Sequence, residues 1–410
     1  MKTIFFLSGR LKAALLMAIV FFAPWQAKAM DPRIFEVQNP ADLLDVKGAS
    51  FKFSLSLLRA NLNSLAPKKK PLNLKLPTTE YDYKKKDPIE TSHIDLNIPL
   101  FAKIHFGLTA SLPADFLKVS VLSGQERTYL RHTKRKQRPE IYTALAFPLT
   151  SFASLGLGIY HTLKMTGRVQ VLVDEDITGR AKVDVTPIRV PYGGVRLKKA
   201  FLGHLWRFGI FYRGASNAEA GFETDVSVAT SDLSLPANIG ANFALFYEPE
   251  VYSTSLVYSQ KAFSFYLGYE LARWSLYQSP LFKANSTLAS TPSQPPLNFE
   301  DTRGIKAGIG KKIPLNYFSN GGIKLGIEHH TSALPDNPNS LMVVDLSRRV
   351  YKGALELSFH GFSHRGPEGM RMVLSASRTD FLPRTFIMDN EAILAGGRTL
   401  QYEFSIESLL

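Results

Sequence analysis

The sequence contains no cysteine in 410 residues. This absence excludes a disulfide-stabilised scaffold, thiolate metal sites and a cysteine nucleophile. It also excludes attachment to a membrane through an acylated cysteine. Hydrophobic residues nevertheless make up 45% of the chain, close to the share found in folded proteins, so the sequence is not that of a disordered chain.

Long apolar runs are also missing after the first thirty residues. Basic residues precede an apolar stretch at 13–22, and residues 27–29 read Ala-Lys-Ala. This order predicts a secretory signal peptide over residues 1–29, because such peptides combine a basic start, a short apolar core and a small-residue cleavage site. A mature chain without a longer run is either soluble or crosses a membrane as a closed β-barrel.

Apolar and polar residues alternate along much of the mature chain. In the segment 263–272, Phe265, Leu267 and Tyr269 fall on one face, and Gly268 and Glu270 fall on the other. The same alternation recurs in residues 305–310, 323–328, 355–360 and 402–407. Strict alternation indicates β-strands with one apolar and one polar face. A soluble sandwich would turn the apolar face inward, whereas a membrane barrel turns it outward.

Charges and connection lengths favour the membrane barrel over the sandwich. The polar faces carry Lys306, Lys324, Glu328 and Glu356, which a hydrated lumen tolerates. Long connections alternate with short ones, as in barrels whose outer loops are long and whose periplasmic turns are short. Aromatic residues near strand ends suit interfacial girdles. These aromatic residues are Tyr247, Tyr252, Trp274, Tyr277 and Tyr317.

The fold that we predict is all-β: a transmembrane antiparallel β-barrel of about 14 strands over residues 49–410. The connection pattern places both chain ends on the periplasmic side. We expect residues 248–251 to form a short periplasmic turn and residues 279–301 to form a long outer loop. After Leu341, the segment 344–362 is expected to hold one strand or two.

Short motifs, in a fixed order, give the chain a resemblance to the FadL/TodX family of outer-membrane transporters. Asn39, Pro40 and Ala41, followed by a Leu-Leu pair, resemble the family's N-P-A motif, which lies between an N-terminal plug and the first strand. Further matching stretches are residues 106–108, 112–113, 142–146, 154–158, 235–238, 247–249, 273–277, 298–303, 306–310 and 322–334. The sequence departs from the family in two ways: only residues 30–38 precede the motif, and the chain ends in Leu-Leu rather than in an aromatic residue.

The resemblance implies a function and a location. It implies a bacterial outer-membrane channel, not an enzyme, through which long-chain fatty acids or similar hydrophobic molecules pass by diffusion without a cofactor. It also implies a short hatch-like plug over residues 30–48. The expected partners are the hydrophobic ligand, outer-membrane lipids, lipopolysaccharide and the barrel assembly machinery, and we expect a monomer. A polar-solute porin and an outer-membrane lipid-acting enzyme remain as alternatives.

A dense basic stretch lies in the long connection after residue 113. Its functional interpretation is a positively charged barrel mouth that contacts lipopolysaccharide phosphates or steers carboxylates. A solvated outer loop would explain the same charges. The proposed mouth residues are Arg127, Arg131, Lys134, Arg135, Lys136 and Arg138. A secreted chain makes nucleic acid an unsuitable partner for this stretch.

Two other patterns were weighed as chemical sites. His329 and His330 could bind a metal, but neighbours on a strand face opposite ways and no third ligand is suitably spaced, so we predict no metal site. No Gly-x-Ser-x-Gly elbow appears in the sequence, and no Ser/His spacing argues for a hydrolase.

Overall fold

A computed structural model shows a closed antiparallel β-barrel. It describes residues 39–45, 48–63, 89–101, 103–114, 128–129, 139–173, 177–201, 203–230, 233–277, 282–286, 298–315, 319–335, 343–360, 369–388 and 391–409. No helix in these ranges is long and apolar enough to cross a membrane. The strands are β1 Ser50–Leu62, β2 Ile89–Phe101, β3 Ile104–Pro113, β4 Thr128–Tyr129, β5 Glu140–Pro148, β6 Ala153–Val173, β7 Ile177–Phe201, β8 His204–Arg213, β9 Ser216–Thr230, β10 Leu233–Glu248, β11 Glu250–Gln260, β12 Phe263–Arg273, β13 Phe282–Ser286, β14 Thr302–Pro314, β15 Ser319–His330, β16 Val343–Val344, β17 Arg348–His360, β18 Gly369–Met388 and β19 Glu391–Leu409.

Fourteen of these strands form the barrel wall, which confirms the predicted fold class and strand number. Their order around the barrel is β1, β2, β3, β5, β6, β7, β8, β11, β12, β14, β15, β17, β18 and β19. The ring closes where β1 pairs with β19 from Ser50↔Leu409 to Leu62↔Gly397. The segment 344–362 thus contains one wall strand, β17, in addition to the end of β16.

Five strands lie outside this ring. Strands β4 and β16 pair in parallel with each other, and β9, β10 and β13 form a projection with the far halves of β6 and β7. Strands β9 and β10 make an antiparallel hairpin, and β13 pairs with β10. Strand β9 also runs parallel to β6 from Gly167↔Phe222 to Val173↔Val228.

One predicted turn is wrong. Residues 248–251 do not form a turn at the end of the barrel where the chain enters β1, which we call the short-turn end. They join β10 of the projection to β11 of the wall at the opposite, long-loop end. The short turn lies instead at residues 261–262, between β11 and β12. Apolar and polar residues alternate in the β9–β10 hairpin of the projection as they do in the β11–β12 hairpin of the wall. Periodicity alone therefore does not distinguish the wall from the projection.

The wall has an apolar outer face and a polar inner face. On β12, Phe265, Leu267 and Tyr269 are 49%, 58% and 42% exposed, while Ser264 and Tyr266 between them are buried. Strand β1 repeats the pattern with exposed phenylalanines and inward serines. Glu270 faces the interior, as predicted, where its carboxylate accepts a hydrogen bond from Lys306 at 2.7 Å. A continuous apolar outer belt is the arrangement that a lipid-facing barrel needs.

Ion pairs line the interior from β12 to β19. They connect Glu270 with Lys306 (2.7 Å), Lys324 with Glu356 (3.3 Å), and Arg371 with both Glu356 (2.8 Å) and Glu407 (3.1 Å). Lys352 pairs with Glu328, and the His330 imidazole, on the same strand as Glu328, lies 3.1 Å from the Glu328 carboxylate. Because each charge has a partner on a neighbouring strand, the seam keeps buried charges compensated.

The long-loop end is packed rather than open around residues 331–335 and 343–347. Leu334 joins a cluster with Trp274, Tyr277 and Phe299, and the Asp345 carboxylate accepts a hydrogen bond from the Ala333 amide at 2.7 Å. Trp274 and Tyr277 are therefore buried, not in an interfacial girdle as the sequence suggested. Tyr252 does lie on the outer face, whereas Tyr317 lies outside the described residues.

Candidate functional site

The N-P-A motif lies inside the barrel. Residues 39–45, which we call the inner segment, consist of Asn39 and the 3-10 helix Pro40–Asp45. The Asn39 side-chain amide donates hydrogen bonds to the carbonyl oxygens of Val195 (3.3 Å) and Ile210 (3.2 Å), on β7 and β8. Its carboxamide oxygen accepts a bond from the Ala41 amide at 3.0 Å, as an N-terminal helix cap does.

Glycines in the wall make room for the inner segment. A Cβ atom added at Gly156 on β6 would lie 2.3 Å from the Ala41 amide nitrogen, and one at Gly194 on β7 would lie 2.3 Å from the Asn39 carboxamide oxygen. Such separations are too short for any side chain. The wall is therefore shaped so that its backbone and the backbone of the inner segment come into direct contact.

Four charged contacts hold the C-terminal part of the inner segment. The Asp45 carboxylate accepts hydrogen bonds from Arg196, from Lys198 (3.1 Å) and from Arg207 (3.2 Å), and Arg196 also donates to Asp42 at 2.9 Å. We call these five residues the ionic clamp. The side chains of Asp45, Arg196 and Arg207 are only 9%, 7% and 11% exposed, so solvent screens these pairs weakly.

The inner segment lies along the wall from β2 to β8 and contacts β3, β5 and β6 between them. While Asn39 and the ionic clamp attach it to β7 and β8, the Asn97 side chain on β2 donates a hydrogen bond to the Leu43 carbonyl at 3.1 Å. The chain then enters β1 at Ser50, after Gly48 has turned it with a φ of +82°. The segment therefore occupies the interior beside this part of the wall and narrows it at this level.

An internal chamber of about 530 Å³ lies beside the inner segment. One side is largely apolar and is formed by Leu43, Tyr142, Ala144 and Tyr192. The opposite side is polar and comes from β17, β18, β19, β1 and β2. Its main polar residues are Lys52, Ser54, His93, Asp95, Lys352, Arg371, Ser375, Ser377, Gln401, Glu403 and Glu407.

The apolar side is backed by an aromatic cluster. Tyr142 stacks on Tyr160 with ring centroids 4.6 Å apart, and Tyr192 meets Tyr142 edge-on at 5.6 Å. The Arg213 guanidinium lies 5.6 Å from the centre of the Tyr160 ring and pairs with Glu248 at 3.4 Å. The cluster thus provides a rigid apolar surface whose one cation is already neutralised.

The structure describes one of the two sets of residues predicted from the sequence. It brings Asn39, Pro40 and Ala41 together in the buried inner segment, but Arg127, Arg131, Lys134, Arg135, Lys136 and Arg138 all lie outside the described residues. Sequence reasoning missed the ionic clamp. Its signal was two acids just after the motif and alternate basic residues on β7, but the partners stand about 150 positions apart.

The structure also gives the positions of the adjacent histidines and of a Ser/His pair. His330 faces the interior and contacts Glu328, whereas its neighbour His329 points outward, and no group of three metal-binding side chains occurs in the described part of the chain. Ser56 Oγ lies 3.4 Å from both His93 Nε2 and the Thr91 carbonyl oxygen. These distances are long for hydrogen bonds from a hydroxyl, so the pair does not have the geometry of an activated nucleophile.

Comparisons with known proteins identify the fold. No family model matches the chain, and no curated protein matches it in sequence. Among solved structures, a Pseudomonas aeruginosa FadL homologue aligns with a TM-score of 0.54 and 12% identity, covering 94% of this chain and 99% of that one. The Ralstonia pickettii toluene transporter TbuX gives 0.52 and 12% (94% and 96% covered), and the CymD monoaromatic hydrocarbon channel gives 0.52 and 12% (91% of each). At such identities the likeness establishes architecture, and the chain therefore has the fold of FadL/TodX-type channels.

Proposed function

We propose that the protein is a bacterial outer-membrane channel through which small hydrophobic or amphipathic molecules, long-chain fatty acids among the candidates, diffuse into the periplasm. The observation that carries the proposal is the chamber beside the inner segment, with an apolar side for a ligand's body and a polar side for its head. Solved structures of the same fold are named as a toluene transporter and a monoaromatic hydrocarbon channel, which supports a hydrophobic class of solute. Such a channel would act without a cofactor and without enzymatic chemistry.

In this proposal the domains have distinct roles. Residues 1–29 direct export and are cleaved, residues 30–48 form the plug, and residues 49–410 form the barrel, which the assembly machinery inserts into the membrane. The inner segment supports the plug assignment, because it lies inside the barrel and is bonded to the wall at β2 and at β7. The protein would act as a monomer.

The test is uptake into cells that lack other transporters of this kind. Cells producing the protein should take up labelled long-chain fatty acid and labelled toluene faster than cells with an empty vector. Equal uptake of both solutes by the two strains would contradict the proposal.

A polar-solute porin is the second candidate, and the polar side of the chamber favours it. The two functions differ in what passes through purified protein in a planar bilayer. A porin would show a steady ion conductance and pass small sugars in liposome swelling, whereas a plugged hydrophobic channel would do neither.

For the basic stretch after residue 113 we propose contact with lipopolysaccharide phosphates or steering of anionic solutes at the outer mouth. Neutralising Arg131, Lys134, Arg135 and Lys136 together should slow the capture of a fatty acid more at low salt than at high salt. Exposed charges act over about 8 Å at physiological ionic strength. A salt-independent change would argue against steering.

A further inference from the structure

We infer that the chamber is built for an uncharged amphiphile with a hydroxyl or carbonyl head, and not for a carboxylate. This inference rests on the proposed function, because it names the class of ligand that the same chamber takes. Three features of the chamber carry it: the pairing of its cations, an excess carboxylate and an unsatisfied hydroxyl.

The cations that line the chamber are already engaged by carboxylates of the wall. Lys52 lies 3.4 Å from Asp95, and Lys352 pairs with Glu328. Arg371 pairs with two acids, Glu356 at 2.8 Å and Glu407 at 3.1 Å. A ligand carboxylate could bind one of these cations only by displacing an acid that would then itself be buried without a partner.

The polar side also carries a carboxylate in excess. Glu403 lines the chamber without an ion pair to Lys or Arg among the described residues, and its electrostatic neighbour there is the imidazole of His93 on β2. Its strand neighbours Ser56 and Ser375 are uncharged. A second carboxylate brought into this space would be repelled by Glu403, and repulsion between like charges is strong where water is scarce.

Neutral polar groups on the same side are suited to an uncharged head. Ser54 is fully buried, and its hydroxyl has no hydrogen-bond partner in the described part of the structure. Ser375, Ser377 and Gln401 line the chamber close by. An alcohol both donates and accepts hydrogen bonds, so it can satisfy Ser54 without adding charge. The apolar body would then rest against Leu43, Tyr142 and Tyr192 on the opposite side.

The experiment compares three probes with the same alkyl chain: dodecan-1-ol, dodecanoate and dodecyltrimethylammonium. Binding to the purified full-length barrel is measured by native mass spectrometry after release from a detergent unrelated to the probes. We expect dodecan-1-ol to bind about tenfold more tightly than dodecanoate, because a single uncompensated charge interaction in a protein is of that order. Glu403→Gln should reduce this difference in affinity by strengthening the binding of dodecanoate alone. Ser54→Ala should weaken the binding of dodecan-1-ol alone.

Matched controls and outcomes separate this inference from the proposed function. Glu300→Gln, at an exposed position of the long-loop end, should change neither affinity. Tighter binding of dodecanoate or of the ammonium probe than of the alcohol would overturn the uncharged class while leaving a hydrophobic channel in place. Failure of all three probes to bind, together with unchanged cellular uptake, would overturn the proposed function itself. If Glu403→Gln and Ser54→Ala bind all three probes with the affinities of the parent protein, the chamber is not the binding site and the inference fails.

Discussion

At the scale of single residues, Gly156, which contacts the inner segment, allows a direct test of how that segment packs against the wall. Gly156→Ala places a methyl group 2.3 Å from the Ala41 amide nitrogen, so the segment must move away from the wall. Overpacking of this kind costs about 1–3 kcal/mol, enough to weaken the attachment without unfolding the barrel. We expect an increased single-channel conductance in planar bilayers.

Gly353→Ala is the matched control for this substitution. A Cβ atom there would have its nearest neighbour, Leu325 Cδ2, at 3.7 Å, an ordinary contact. The control should conduct like the parent protein. Equal conductance of the two variants would mean that the inner segment does not obstruct the pore.

The ionic clamp predicts a change in both conductance and ion selectivity. Asp45→Asn removes the carboxylate that Arg196, Lys198 and Arg207 share, and breaking buried pairs of this kind costs about 3–5 kcal/mol. Arg196 keeps Asp42, whereas Lys198 and Arg207 lose this acid, and the excess positive charge should loosen the segment and make the leak selective for anions. Reversal potentials in a salt gradient measure this selectivity.

Asp380→Asn serves as the control for the clamp. Asp380 pairs with Arg378 at 2.7 Å, with side chains 31% and 51% exposed, and pairs at the surface contribute only about 0–1 kcal/mol. A leak of the same size and selectivity in this variant would show that charge removal acts through the whole field of the barrel rather than through the clamp.

The difference between the motif and the clamp shows what residue patterns reveal. Asn39, Pro40 and Ala41 are contiguous, so their resemblance to a known motif locates them at once. Asp45 and Arg207 are brought together only by barrel closure, and either residue alone resembles an ordinary surface charge. Long-range pairs of this kind need a structure to be found.

At the scale of the strand, the apolar outer belt predicts that the free-energy cost of a charged substitution depends on its depth in the membrane. Leu267 lies in the middle of β12 and is 58% exposed on the outer face. Leu267→Arg should destabilise the barrel by about 2–4 kcal/mol in a lipid bilayer, because charge at the midplane is costly. Refolding into liposomes over a urea gradient measures the change in free energy.

Leu315→Arg is the matched control, since Leu315 is similarly exposed (54%) but follows β14 at the short-turn end. Near the interface the same arginine should cost only about 0–1 kcal/mol. Equal losses at the two positions would contradict the depth or the orientation of the belt.

Strand patterns predicted the wall well, but not the connectivity of every hairpin. Alternation placed Leu267 outside and Glu270 inside, and the total of about 14 strands is correct. The short turn was misplaced at residues 248–251 because apolar and polar residues alternate in β10, a strand of the projection, as they do in the wall strands. Which hairpin joins the ring depends on the pairing of β8 with β11, a contact between segments separated by the projection.

At the scale of the whole molecule, the barrel and its obstruction should be separable. The ring closes through thirteen paired positions between β1 and β19, none of which involves the inner segment. Deleting residues 30–45 should therefore leave a folded barrel, because antiparallel closure satisfies the backbone of the wall without help from the interior. The same deletion removes the acidic partners of Arg196 and Arg207 and the Leu43 carbonyl that accepts a hydrogen bond from Asn97.

We expect the deleted protein to keep the heat-dependent electrophoretic shift of a folded barrel while conducting ions through a wide, steady pore. Circular dichroism and this shift report the fold, and planar-bilayer recordings report the opening, so the two effects are measured independently. A barrel that opens to ions should also lose preference among solutes, because the apolar side of the chamber includes Leu43 of the deleted segment. Loss of the folded barrel on deletion would instead make residues 39–45 part of the scaffold, and an unchanged closed pore would place the obstruction among the outer loops.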